Sequence, residues 1–224
     1  MSTAPGPVIG RGRASVIHDL GDGSVLRRYR NTAQSAETEA AAMRLAAAGG
    51  VSVPIVHAAP GPDIRMELVV GPTLLAAVLD DPTGAEDSGR VLADLHRQLD
   101  GVRLPDGGPG GLVHGDLHPG NVVLSARGPV LLDWTNHRRA DRAVDRALTW
   151  IILACFDPEP ELAAVDLVRR RVLDGYLQAI DRDRVAAALD VAASIRRADP
   201  ATTPTEQAKI AGLVDRHHVP PALS

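Results

Sequence analysis

The chain has 224 residues, of which 23% are charged and 45% hydrophobic, and a formal net charge of −4. That length suits one unit of two lobes with a core of ordinary size, and the mildly acidic balance advertises no basic surface for nucleic acid. The single cysteine, Cys155, excludes an internal disulfide and fits a reducing compartment. Met1–Pro7 lacks the apolar stretch of a signal peptide, and no apolar run reaches the roughly 18 residues of a membrane span. The expectation is a cytoplasmic protein with neither membrane nor nucleic-acid partner.

Taken in chain order, residues 8–30 predict two strands, Val16 to Leu20 and Val25 to Tyr29, flanking the tight-hairpin signal Gly21-Asp22-Gly23. The preceding Ile9-Gly10-Arg11-Gly12 is read as a glycine-rich loop, because glycine lets backbone amides approach phosphate oxygens. Asn31 to Ala48 predicts a helix rich in Ala and Glu, ended by Gly49-Gly50. Val51 to Val56 leaves in extended form, Asp63 to Val70 predicts a strand, and Gly71-Pro72 breaks it. The lobe boundary is placed there, giving lobes over 1–70 and 71–224. Val91, Leu92, Leu95 and Leu99 form a helical stripe ending at Gly101, and Asp106 to Gly111 is a linker. Beyond Asp133 the pattern is helical. Val144, Leu148, Ile151 and Ile152 form one face; Leu162, Val165, Val172, Leu173 and Tyr176 a second; Val185, Leu189, Ala192 and Ile195 a third. Strands first and helices later make an α+β pattern.

The chemistry concentrates in His114-Gly-Asp116-Leu-His-Pro-Gly-Asn121 and in Leu131-Leu132-Asp133-Trp134. Val122 to Leu124 and Val130 to Leu132 predict a hairpin around the turn Ser125 to Pro129, which sets Asn121 opposite Asp133. An amide oxygen and a carboxylate at cross-strand distance can share one hard cation, as magnesium prefers. Asp116, upstream on the same loop, can accept a hydrogen bond from a hydroxyl and take its proton. One group to orient a hydroxyl and two to hold magnesium on phosphates are the requirements of ATP-dependent phosphoryl transfer.

These motifs resemble the catalytic and metal loops of the aminoglycoside phosphotransferase and choline kinase-like family, small-molecule relatives of the protein kinases. The resemblance implies a protein-kinase-like fold with a small β-rich N-lobe and a mainly helical C-lobe, shortened here. It implies ATP and magnesium as cofactors, Asp116 as the catalytic residue, and Asn121 and Asp133 as metal ligands. Weaker likeness over residues 8–150 implies nucleotide contacts from Gly10 and Gly12, from Arg27 in place of the usual strand lysine, and from its helix partner Glu39, with Glu37 as the second choice. Glu67 and Leu68 then mark a hinge whose backbone reads adenine. Lys209 is the chain's one lysine against 23 arginines, and Arg27 keeps the charge while changing the geometry. Asp141 and Asp145 fall where the family caps a helix and braces the catalytic loop; His114 and His118 are read as structural.

The leading expectation is a kinase moving the γ-phosphate of ATP to a hydroxyl of a small molecule. A nucleotide-binding pseudokinase or regulatory module is the alternative, favoured by the missing lysine. A protein kinase is disfavoured, because a helix is expected within about ten residues of Asp133 and leaves little platform for a peptide. An aminoglycoside acceptor would want acid, for which Asp157, Glu159, Glu161 and Asp166 are candidates. Arginines 169–171 dilute that signal, and sugars, amino alcohols and other metabolites fit as well.

Overall fold

Gly21 and Gly23 adopt positive φ of 73° and 79°, and the hairpin they permit organises the first lobe. A computed structural model of the chain describes residues 6–12, 14–30, 36–156 and 163–217. In it β1 (Val8–Arg11), β2 (Ser15–Asp19), β3 (Ser24–Tyr29), β4 (Val56–Ala58) and β5 (Asp63–Glu67) form an antiparallel sheet ordered β1-β2-β3-β5-β4. β1 corrects the sequence reading. Its segment was expected to be a loop, but Val8 pairs with His18 and, past a register shift, Gly10 with Ile17 and Arg11 with Val16. Glycine therefore sits inside an edge strand, where irregular pairing is tolerated.

α1 (Ala36–Ala48) packs its buried Ala36, Ala40, Ala42, Met43 and Ala46 towards the first lobe's core, ending before Gly50 at φ 88°. Four alanines in that face allow close approach. The first residues expected in this helix, 31–35, lie outside the described residues.

The second lobe is mostly helical: α2 (Leu74–Asp80), α3 (Ala85–Asp100), α4 (Arg142–Cys155), α5 (Ala163–Gln178), α6 (Arg182–Ala186), α7 (Leu189–Arg197) and α8 (Pro204–His217). Two small antiparallel pairs carry the loops, β6 (Gly111–Val113) with β9 (Arg138–Ala140) and β7 (Val122–Ser125) with β8 (Gly128–Leu131). α4 is the central helix, burying Leu148, Trp150 and Ile151. α3 and α5 touch backbone to backbone. A Cβ at Gly89 would stand 2.1 Å from the Val172 carbonyl oxygen, and one at Gly175 would stand 2.0 Å from that of Glu86. The third apolar face of the sequence reading divides into α6 and α7, with Ala187 and Ala188 between them. Among the described residues no helix is long and apolar enough to cross a membrane.

Candidate active site

Arg27 lies in the middle of the first sheet, opposite Ile17 on β2 and Ile64 on β5. Its side chain is 6% exposed and reaches across to α1, where Nη1 donates to Glu39 Oε1 at 2.9 Å. The same carboxylate accepts the Tyr29 hydroxyl through Oε2, and the Trp134 amide at 3.2 Å through Oε1. Arg27 Nη2 donates to Asp133 Oδ1 at 2.9 Å and to the Thr135 hydroxyl at 2.6 Å. Burial opposes the charge on Arg27, yet Asp133 and Glu39 outweigh it and raise the guanidinium pKa. One arginine thus ties strand, helix and second lobe together. Tyr29 and Thr135 are members that sequence reasoning missed. Tyr29 follows Arg27 at the strand period of two and so shares its face, which was the available signal.

The loop after β6 is held by its main chain. Asp145, in the first turn of α4, accepts the amides of His114 at 2.9 Å and Gly115 at 2.7 Å. Asp141 caps the same helix through the Ala143 amide at 2.8 Å. His114 Nε2 lies 2.9 Å from the Leu132 carbonyl, so it donates, and Nδ1 accepts the Asp116 amide at 3.3 Å. Neither ring nitrogen is left to serve as a base. Behind Asp145 stands His96, fully buried, with Nε2 3.0 Å from the Thr149 hydroxyl, which donates to the Leu117 carbonyl at 2.8 Å. Burial drives the His96 pKa down to about 4 against the pull of Asp145, so this imidazole is neutral at pH 7.

Asn121 donates Nδ2 to the Asp116 carbonyl at 2.9 Å, and its own carbonyl accepts the Leu132 amide at 2.8 Å. This corrects the expected register by one residue. Ser125 already pairs with Gly128, so the turn shrinks to Ala126-Arg127 and Asn121 faces Leu132 instead of Asp133. The chain then bends. Asp133 has φ 57° and ψ 73°, the one positive-φ non-glycine among the described residues, in a region aspartate tolerates better than most. Its side chain is 45% exposed to the cleft. Burial of its surroundings would raise its pKa, but Arg27 and the Thr135 hydroxyl pull it down to about 2. The stabilisation from this ionised contact is complete above the ordinary carboxylate pKa near 3.8 and is lost as pH falls through about 2.

Asp116 and Asp133 open onto a common cleft of about 590 Å³, bordered also by Gly12, Arg27, Thr135 and Arg196. Gly12 sits beyond β1 and donates its amide to the Ser15 carbonyl at 2.9 Å. Asn136 and Arg138 reach this cleft, whereas Arg139 turns away to Asp106 at 2.6 Å. Arg196, from α7, is a member the sequence did not signal. Gly10 lies in β1, outside this lining. Glu67 also faces elsewhere. It binds Arg127, at the tip of the β7–β8 hairpin, through Nη2 at 2.8 Å and accepts the Ile55 amide at 3.1 Å. Arg127 hydrogen bonding lowers its pKa. The Leu68 amide is taken by the Gly23 carbonyl at 2.9 Å. Asp157, Glu159, Glu161 and Leu162 lie outside the described residues. Asp166 is occupied by Arg169 at 2.5 Å and Arg170 at 2.8 Å.

Residues 99–188, from the end of α3 to the link between α6 and α7, match the model of the phosphotransferase enzyme family, APH. No match arises among curated protein sequences. ADP-bound aminoglycoside phosphotransferase APH(2″)-Ib is similar in structure with a TM-score of 0.60 and 11% identity, over 94% of this chain and 90% of that one. The streptomycin–ATP ternary complex of APH(2″)-IIa gives 0.57 and 12%, over 93% and 92%. A choline/ethanolamine kinase family protein from Mesorhizobium loti gives 0.52 and 19%, over 96% and 87%. The chain therefore has the two-lobed fold of the aminoglycoside phosphotransferases and choline kinase-like proteins, and its residues 99–188 match the model of the phosphotransferase enzyme family.

Proposed function

We propose that this protein transfers the γ-phosphate of ATP to a hydroxyl of a small molecule. The observation that carries the reading is the meeting of Asp116 and Asp133 on one cleft, beneath a buried arginine and beside an asparagine tied to the same loop. Fold neighbours solved with ATP or ADP support the nucleotide.

Magnesium fits the residues present. Asp133 is a low-pKa carboxylate open to the cleft, with Oδ2 making no hydrogen bond among the described residues. Asn121 spends its Nδ2 on the Asp116 carbonyl, which leaves an amide oxygen as donor. Two such hard oxygens would hold the ion, and bound magnesium would neutralise the charge on the phosphates. Arg27 adds a positive charge whose position is fixed by Glu39. Asp116 accepts a hydrogen bond from the acceptor hydroxyl. As the new oxygen–phosphorus bond forms and the bond to ADP breaks, the hydroxyl proton passes to its carboxylate. Catalysis of this kind is mostly positioning and charge neutralisation. α4 begins at Arg142, nine residues after Asp133, so the intervening chain forms β9 rather than a peptide platform, which favours a small acceptor.

One contact favours the pseudokinase alternative. Arg27 grips Asp133 directly, so the metal-binding carboxylate is already partly neutralised. Incubation with γ-labelled ATP, with magnesium and with chelator, separates the two. Label leaves ATP only with magnesium if the proposal holds. Label that stays on ATP in both, across an acceptor panel, leaves a nucleotide-binding module.

A further inference from the structure

The Asp116 carboxylate borders two cavities. One is the cleft shared with Asp133; the other, about 240 Å³, lies between α2, the catalytic loop and the α4–α5 pair. Aliphatic side chains wall the second cavity: Val78, Ile152, Leu153, Val168 and Val172 are buried, and Leu75 and Phe156 stand at its mouth, 38% and 43% exposed. Asp116 is the one carboxylate lining it among the described residues. The other charged groups there are guanidiniums. Arg169 is held by Asp166 and the Leu153 carbonyl, and Arg196 by Glu206 at 2.8 Å and Asp199 at 3.6 Å, while the His118 imidazole stands 4.0 Å from the Asp116 carboxylate.

Resting on the phosphotransfer reading, we infer that the acceptor is a compact alcohol with an apolar, uncharged body, seated in this cavity with its hydroxyl on Asp116. The walls are mainly hydrocarbon, and His118, Arg169 and Arg196 beside Asp116 are too few polar side chains for a polyhydroxylated ring system. An ammonium would lose its water against these hydrocarbon walls, with Asp116 already committed to the hydroxyl. The volume falls just below the usual range of about 300–1,000 Å³ for small-molecule pockets, which suits a single ring or short chain.

Calorimetric titration of the full chain with magnesium and ADP tests this using 2-phenylethanol, 3-phenyl-1-propanol, its 2-amino derivative and kanamycin. The phenyl alcohols should bind, with a gain of about four-fold for the added methylene, equivalent to about 0.8 kcal/mol. The 2-amino derivative should bind at least ten-fold more weakly than its parent. Phe156→Ala should weaken the alcohols several-fold more than it weakens ADP, and Leu75→Ala, on the facing wall, does the same should the first variant melt early. Tighter binding of the amino compound or of kanamycin, or no binding by either alcohol, overturns the inference. Alcohol binding without phosphate transfer from ATP would leave the cavity assignment standing and remove the phosphotransfer reading instead. Transfer to kanamycin alone would do the reverse.

Discussion

Asp116→Ala lowers phosphate transfer by about 10²–10⁴-fold, the range for loss of a positioned acid–base group, while the affinity for magnesium and ATP and the melting temperature stay near wild type. The separation follows from how the loop is held. Residue 116 contributes its amide to His114 Nδ1 and its carbonyl to Asn121 Nδ2, and both bonds are main chain at that position. Removing the carboxylate leaves them, together with the Asp145 clamp on His114 and Gly115. What disappears is the group proposed to align the acceptor hydroxyl. Steady-state rates with magnesium and ATP check this, and a variant retaining a tenth or more of wild-type activity removes Asp116 from the chemistry.

Arg27→Met destabilises the protein by about 3–5 kcal/mol, the usual result of stripping one partner from a buried ion pair. Glu39 is 2% exposed, so its carboxylate would keep only the Tyr29 hydroxyl and the Trp134 amide as partners. The contact with Asp133 adds less, because that side chain is 45% exposed and water screens it. Urea unfolding measures the loss. Arg27→Met combined with Glu39→Gln should recover part of it, since the second change removes the stranded charge. A single variant within 1 kcal/mol of wild type would mean that the pair is worth no more than its own desolvation.

The catalytic loop was legible because its chemistry is written in contiguous residues. His114 to Asn121 and Leu131 to Trp134 need only a hairpin between them, and alternation with a turn signals one. The register was not legible to one residue, because Gly128 at φ 100° takes a strand position that sequence assigns to the turn. β1 was missed for a related reason: glycine marks loops by propensity, yet Gly10 is carried by pairing with β2. Arg27 and Glu39 were found through the resemblance to kinase-like folds, but the third partner, Thr135, depends on the left-handed turn at Asp133, which no local pattern announces. Arg196 enters the cleft from α7, far along the chain, and contacts of that separation leave no local periodicity to read.

Calorimetric binding of ATP with and without magnesium, in wild type and in Asp133→Ala, tests the proposal that Asp133 holds the ion on the nucleotide. Wild type should lose ATP affinity when magnesium is chelated. Asp133→Ala should show the same weak affinity in both conditions, with a melting transition that still reports a folded chain. An Asp133→Ala protein whose ATP affinity keeps its full magnesium dependence would contradict the site.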